Sequence, residues 1–281
     1  MNVSVDTNQM RDEATEARVE KENGSVPVPR LSSLPLPMAS FFAALQFLTI
    51  FPAVMRRPFT RTELGWSLAF FPLVGGLIGG ILLALDRLLM LAFPPTLGAA
   101  LILAVWVLVT GALHMDGFLD TCDGLLGGRT PEQRLRIMRD ERVGAFAVIG
   151  GVLLLLIKYQ ALVALVDREF ALILAPVLGR WGIVLAVVFF PYARTEGLGR
   201  DMKDNAGWLP SLLASAVAIL AAWWIAAWLG LLSAGIVIVF LFGCAMFILR
   251  RVPGFTGDIY GFCCESFEVL VLLTLVAGET A

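Results

Sequence analysis

An all-α bundle of membrane-embedded helices is the fold class this sequence predicts, and three observations carry the prediction. The chain of 281 residues is 58% hydrophobic and only 16% charged, with a mean hydropathy of +0.83, whereas soluble domains run near 45–50% apolar and about 25% charged. Its apolar residues come in long runs, most of them near the ~20 residues needed to cross a ~30 Å hydrocarbon core. Its charges sit in short segments between those runs, with Lys and Arg concentrated in alternate segments.

The runs cover 38–54, 66–85, 97–113, 143–166, 170–190, 210–229, 231–249 and 266–277. The first contains Gln46 and ends at Pro52, and the last has about 12 residues, so six secure spans and two uncertain ones are expected. Residues 1–37, with six acidic and four basic residues and a proline-rich end, read as a disordered tail. The remainder, 38–281, reads as one membrane-embedded domain. The start lacks a basic region followed by an apolar core, so no cleavable signal peptide is expected. Lys and Arg number 13 in one set of alternate segments and 2 in the other, which places the basic segments in the cytoplasm. A net charge of −2 excludes nucleic acid as a partner. Cys122, Cys244, Cys263 and Cys264 lack metal or disulfide spacing and read as small buried residues. Gly75 and Gly79 form a GxxxG suited to helix packing.

Chemistry concentrates in the basic-rich segments. GALHMDGFLDTCDGLLGG, from Gly111, carries Asp116, Asp120 and Asp123 at i, i+4 and i+7, one face of a helix. Two carboxylates ~6 Å apart repel by roughly 3 kcal/mol at an effective dielectric near 20. A divalent cation is the simplest offset, and Mg²⁺ commonly joins one or two carboxylates to substrate phosphates. Gly117 and Gly124 read as positions where a ligand or metal approaches the backbone. His114 fits a base, a phosphate donor or an interfacial structural residue. In RLRIMRDERVGAF, Arg134 and Arg136 read as anchors, while Arg142 is a candidate phosphate clamp and Asp140 a candidate neighbour of the metal. In YARTEGLGRDMKDN, Gly197 and Gly199 permit a tight path, and Arg194, Arg200 and Lys203 offer cations to an anion. Asp258 precedes the last apolar run and Glu265 and Glu268 stand at its start, on the same side, which favours a shared polar cavity. Lys158 and Arg180 lie inside apolar runs, where a cation needs a charged partner.

Taken together and in order, FFAALQFLTIFP, FPLVGGLIGG, HMDGFLDTCDG, IMRDERVGAF, GRWG, YARTEGLG and TGDIYGFCCESFE resemble the cobalamin synthase family, the adenosylcobinamide-GDP ribazoletransferases, from about Phe41 to Glu268. The resemblance implies an Mg²⁺-dependent enzyme that joins adenosylcobinamide-GDP to α-ribazole or its 5′-phosphate and releases GMP. It carries metal and phosphate roles onto Asp116, Asp120 and Asp123 with His114 beside them, and next onto Asp140, Arg142, Asp258, Glu265 and Glu268. Asp123 is the first choice of base for the ribazole 5′-hydroxyl and His114 the second. Glu141 stands where the family commonly has serine, Ala147 where it has glycine, and Cys263 and Cys264 where it has smaller residues. A homo-oligomer, or association with other enzymes of the pathway, stays open. So do a CDP-alcohol phosphotransferase or prenyltransferase, although the D-G-x-x-A-R pattern of the former is absent. An ion-coupled transporter is a further class, against which stands the gathering of the acids on one face.

Overall fold

The computed structural model describes residues 34–280. All but the last few residues of the expected disordered tail lie outside them. Helix α1 (Leu36–Leu48) begins two residues before the expected boundary. It leads to the short α2 (Arg61–Ser67), whose capping box joins Thr60 to Glu63, and then through a 3₁₀ turn to α3 (Phe71–Leu89). After α4 (Pro95–Val109) come α5 (Leu113–Gly127), α6 (Pro131–Ile137), α7 (Ala145–Ala164) and α8 (Glu169–Phe189). The short α9 (Leu198–Asn205), the long α10 (Trp208–Leu249) and α11 (Gly257–Thr280) complete the bundle. Among the described residues, five stretches are long and apolar enough to cross a membrane: Arg61–Leu89, Ala145–Ala164, Glu169–Phe189, Trp208–Leu249 and Gly257–Glu279. The chain is a polytopic helical membrane protein.

The core is built on α8, almost every side chain of which is buried from Ala171 to Val187. The GxxxG of α3 lies directly on it: a Cβ added to Gly75 would sit 2.4 Å from the Pro176 carbonyl oxygen, and one on Gly79 2.7 Å from that of Leu172. Pro176 has no N–H to offer Leu172, so one of the two close approaches falls where α8 leaves a carbonyl without its usual partner. α11 packs against α5, α7, α8 and α10 and forms the other half of the core.

Three expectations change. The stripe of aspartates is not a continuation of α4. Gly111 (φ +60°) and Ala112 (φ +56°) are left-handed, and the amides of Ala112 and Gly111 bond to the carbonyls of Val107 and Leu108. This 6→1 and 5→2 pairing is a Schellman stop. α5 leaves it at 88° to α4, so the aspartates occupy a separate helix.

The predicted runs 210–229 and 231–249 are two arms of α10, and the break falls at Ala226 and Ala227 (φ +46°) rather than at Gly230. A straight helix of 42 residues would be about 63 Å long. Instead, a Cβ on Gly230 would lie only 1.9 Å from the Ala222 carbonyl oxygen, so the chain doubles back as a tight helical hairpin. Ala214, Ala218 and Ala222 bury one face of its first arm at a spacing of four.

The last run, expected to be short, belongs to a 24-residue helix. α3, α8 and α11 all run between two distinct ends of the bundle. One end holds Phe71, Val187 and Tyr260 around a cavity. At the other, buried Arg168 bonds Asp86 at 2.5 and 3.0 Å and the Pro95 carbonyl at 3.1 Å, Arg87 meets Glu169, and Glu279 accepts from the amide of Val166.

Candidate active site

Two adjoining cavities open at the first end. The smaller, about 280 Å³, is lined by Asp116, Asp120, Asp123, Arg139, Asp140, Glu141 and Arg142 among others. The larger, about 500 Å³, is lined by residues that include Asp116, Arg139, Tyr192, Arg194, Gly197, Gly199, Asp258 and Tyr260. Asp116 and Arg139 belong to both walls. The segments that shape the larger cavity are tied together by a short parallel bridge, in which Ala193 N–H donates to Phe255 O at 2.7 Å and Phe255 N–H to Pro191 O at 2.8 Å.

The helical spacing delivers Asp116 and Asp120 to the polar cavity, and neither side chain has a hydrogen-bond or ion-pair partner among the described residues. Asp116, Asp120 and Asp123 crowd like charge onto one face of the polar cavity, and such charges resist one another without a counter-charge. Asp123 has a different partner from the expected cation. Its two oxygens accept the amides of Gly144 at 2.5 Å and Ala147 at 2.9 Å, capping the N-terminus of α7 from another helix. A Cβ on Gly144 would lie 2.7 Å from that carboxylate, which accounts for the glycine.

Among the described residues no group of three His, Cys, Asp or Glu side chains is arranged to hold a metal. The donor set still suits Mg²⁺, which is commonly held by one or two carboxylates together with substrate phosphates and water; Asp116 and Asp120 offer two unpartnered carboxylates from one helix face. Arg139 and Arg142 face the same cavity and supply positive charge for an anionic ligand. The backbone N–H of Arg142 donates to Asp140 at 3.1 Å, fixing the turn that carries both.

The glycines beside the aspartates serve packing rather than ligand approach. A Cβ on Gly117 would sit 2.8 Å from the Asp258 carbonyl oxygen, and one on Gly124 2.4 Å from Met138 Cγ. Gly199 makes room for Tyr192, whose hydroxyl would lie 2.5 Å from an added Cβ. Gly197 (φ +110°) is the one glycine of this loop whose conformation excludes other residues.

Of the three cations expected in this segment, only Arg194 lines the cavity, where it pairs with Asp258 at 2.5 Å. Arg200 pairs with Asp204, and Lys203 donates to the Val187 and Val188 carbonyls at the end of α8. Burial holds the Lys203 ammonium below its ordinary range.

Lys158, Arg180, Glu265 and Glu268 come together, but not on the cavity walls. Lys158 bonds Glu265 at 2.5 Å and also Glu268, while Arg180 bonds Glu268. All four are buried between α7, α8 and α11. Trp106 Nε1–H donates to Glu268 at 3.3 Å, and Arg180 lies 3.4 Å from His114 Nδ1. The intramembrane cations therefore find the charged partners expected of them, in a network whose formal charges balance. His114 joins that network to the wall of the larger cavity. Sequence reasoning assigns no role to Arg139 or to Tyr260, whose one signal is their place within the matching motifs.

A sequence profile described as cobalamin-5-phosphate synthase matches residues 40–276. The chain is 41% identical over 244 residues to the adenosylcobinamide-GDP ribazoletransferase of Pseudomonas syringae pv. syringae, covering 85% of this chain and 99% of that protein. It is 39% identical over 238 residues to the protein of the same name from Geotalea daltonii (84% and 96% covered). The Desulfitobacterium hafniense protein, also so named, is 34% identical over 244 residues (84% and 96% covered). No solved structure matches.

Proposed function

The chain belongs to the cobalamin-5-phosphate synthase family, and from that premise we propose that it transfers the adenosylcobinamide-phosphate group of adenosylcobinamide-GDP to α-ribazole or α-ribazole 5′-phosphate. The observation that carries this reading is the pair of unpartnered carboxylates, Asp116 and Asp120, facing Arg139 and Arg142 across one cavity. A diphosphate substrate needs such a site: cations for its oxygens and a carboxylate for the incoming hydroxyl.

In the transfer, a ribose oxygen forms a bond to the phosphorus that carries cobinamide, and the bridging P–O bond to GMP breaks. An acceptor that is already phosphorylated on its 5′ oxygen, and keeps that phosphate, attacks through another ribose hydroxyl. This corrects the expected 5′-hydroxyl. Asp116, shared by both cavities, takes the proton. It replaces Asp123, whose oxygens are engaged by backbone amides. Mg²⁺ held by Asp120 together with the substrate phosphates would neutralise developing oxygen charge and leave Asp116 free as the base. Arg139 and Arg142 hold the diphosphate in register, with Arg142 the bidentate clamp. The excess of Lys and Arg at this end supports a cytoplasm-facing site in the inner membrane.

Initial rates of GMP release from adenosylcobinamide-GDP plus α-ribazole, across a Mg²⁺ titration, test the reading. Asp116→Asn and Asp120→Asn each lower turnover by at least ~10²-fold, the scale of losing one transition-state contact. Asp167→Asn, exposed at the far end, keeps near-normal turnover. Near-normal rates and unchanged Mg²⁺ dependence in both site variants would overturn the assignment.

A further inference from the structure

We propose that the larger cavity is the pocket for the acceptor nucleoside, a ribonucleoside with a planar, apolar aromatic base, and that Tyr260 sets its affinity. The inference rests on the transfer reading and adds where the second substrate sits.

Size is the first argument. A cavity of about 500 Å³ falls within the ~300–1,000 Å³ of pockets that take drug-sized ligands. A nucleoside fills such a space, whereas a corrin ring with its side chains is several times larger and remains outside.

The lining is the second. The helices contribute Phe47, Phe71, Ile183, Val187 and Met202 to the wall, an apolar inner surface. Charged side chains reach it from α5, the turn after α6, the 190–197 loop and the first turn of α11. Guanine carries hydrogen-bonding groups along its edge, and leaving them unpaired against an apolar wall is costly. A base without exocyclic polar groups loses nothing there. The cavity therefore suits the acceptor's base, while the guanosine end of the donor belongs to the polar side. On the wall, Tyr192 and Tyr260 stand with ring centroids 5.9 Å apart and planes 30° from parallel, presenting aromatic surface to a planar ligand.

The third argument is an unmet hydrogen bond. Tyr260 is 6% exposed, and its hydroxyl is buried without a partner although the residue lines this cavity. Buried hydroxyls are nearly always satisfied, and a polar atom of the bound nucleoside supplies the missing partner. The fourth is connectivity. Asp116 and Arg139 line both cavities, so a nucleoside seated with its base inward presents its ribose where the diphosphate is held.

Purified protein in nanodiscs, equilibrium dialysis with radiolabelled α-ribazole, and separate KM values for the two substrates test the proposal. Tyr260→Phe removes one oxygen. It should raise the Kd and KM for α-ribazole about fivefold to tenfold, the loss of roughly one hydrogen bond, and leave the KM for adenosylcobinamide-GDP and turnover at saturating acceptor within twofold. Leu198→Trp, at an exposed lining position, narrows the cavity without disturbing the core and should weaken acceptor binding more strongly. Acceptor Kd unchanged in both variants, with wild-type transfer intact, overturns the pocket assignment. A rise in the KM for adenosylcobinamide-GDP alone also overturns it and assigns the cavity to guanosine. Wild-type protein that binds α-ribazole, and loses that binding in the variants, but releases no GMP would instead sink the transfer reading and leave the pocket standing. Neither binding nor transfer in wild type overturns both.

Discussion

Replacing Glu268 by Gln should be among the most destabilising near-isosteric changes in the molecule. Glu268 is fully buried and is the carboxylate shared by Lys158 and Arg180, with Trp106 as a third donor. Two cations and two carboxylates balance in the native bundle. Glu268→Gln leaves Lys158 with Glu265 and leaves Arg180 without a carboxylate, one uncompensated positive charge where the surroundings supply no water. Removing one partner of a buried ion pair costs about 3–5 kcal/mol. For a chain of this size that corresponds to a fall of roughly 6–20 °C in the unfolding midpoint. The assay is the thermal midpoint of the monodisperse peak in detergent.

The charge argument is separated from a packing argument by a cycle. Lys158→Met and Glu265→Gln each unbalance the network, while the double variant restores neutrality and leaves the Arg180–Glu268 pair intact. The double variant should therefore be more stable than the sum of the singles predicts by at least ~2 kcal/mol, within the range measured for residues sharing one ionic network. Additive effects, or a Glu268→Gln cost below about 1 kcal/mol, would refute the reasoning.

Two further outcomes are expected. Asp123→Ala should lower the unfolding midpoint by the equivalent of about 1–2 kcal/mol as well as reduce turnover, because the side chain caps α7; a loss of rate at unchanged stability would return Asp123 to a purely catalytic role. Single cysteines at Arg129, Thr195 and Arg250, all exposed at the cavity end, should be labelled from the same side of the membrane and a cysteine at Asp167 from the other. Labelling any of the first three from the side of Asp167 would overturn the topology.

The sequence made the spans and the acidic stripe legible because each is a local pattern: run length for one, a spacing of 4 and 3 for the other. What it hid depends on partners far along the chain. Nothing near Asp123 announces that its carboxylate meets two amides 21 and 24 residues away. The hairpin of α10 turns at Ala226 and Ala227, without the glycine or proline that marks most turns. Gly230 drew attention as the break, yet its role is to let the second arm approach Ala222. The far-end pair of Asp86 and Arg168 joins residues 82 apart and had no sequence signal.

The last helix shows why hydropathy alone undercounts. Asp258, Glu265 and Glu268 made its first half look polar, so the apolar run shrank to 266–277, while the helix itself covers Gly257–Thr280. Two of those carboxylates are neutralised by cations from α7 and α8, so they are part of the packed interior rather than an interruption of it. The same helix lines the larger cavity with Asp258, Tyr260 and Gly261. Its close contact with α5, where a Cβ on Gly261 would lie 2.9 Å from the His114 carbonyl oxygen, holds the aspartate-bearing helix against it. α11 thus links the buried charge network to the cavity through its own backbone, and the network's Arg180 reaches the His114 side chain on the facing helix. A charge lost at Glu268 is therefore positioned to disturb α5 as well as the fold, which is the physical reason for placing so costly a network beneath the site.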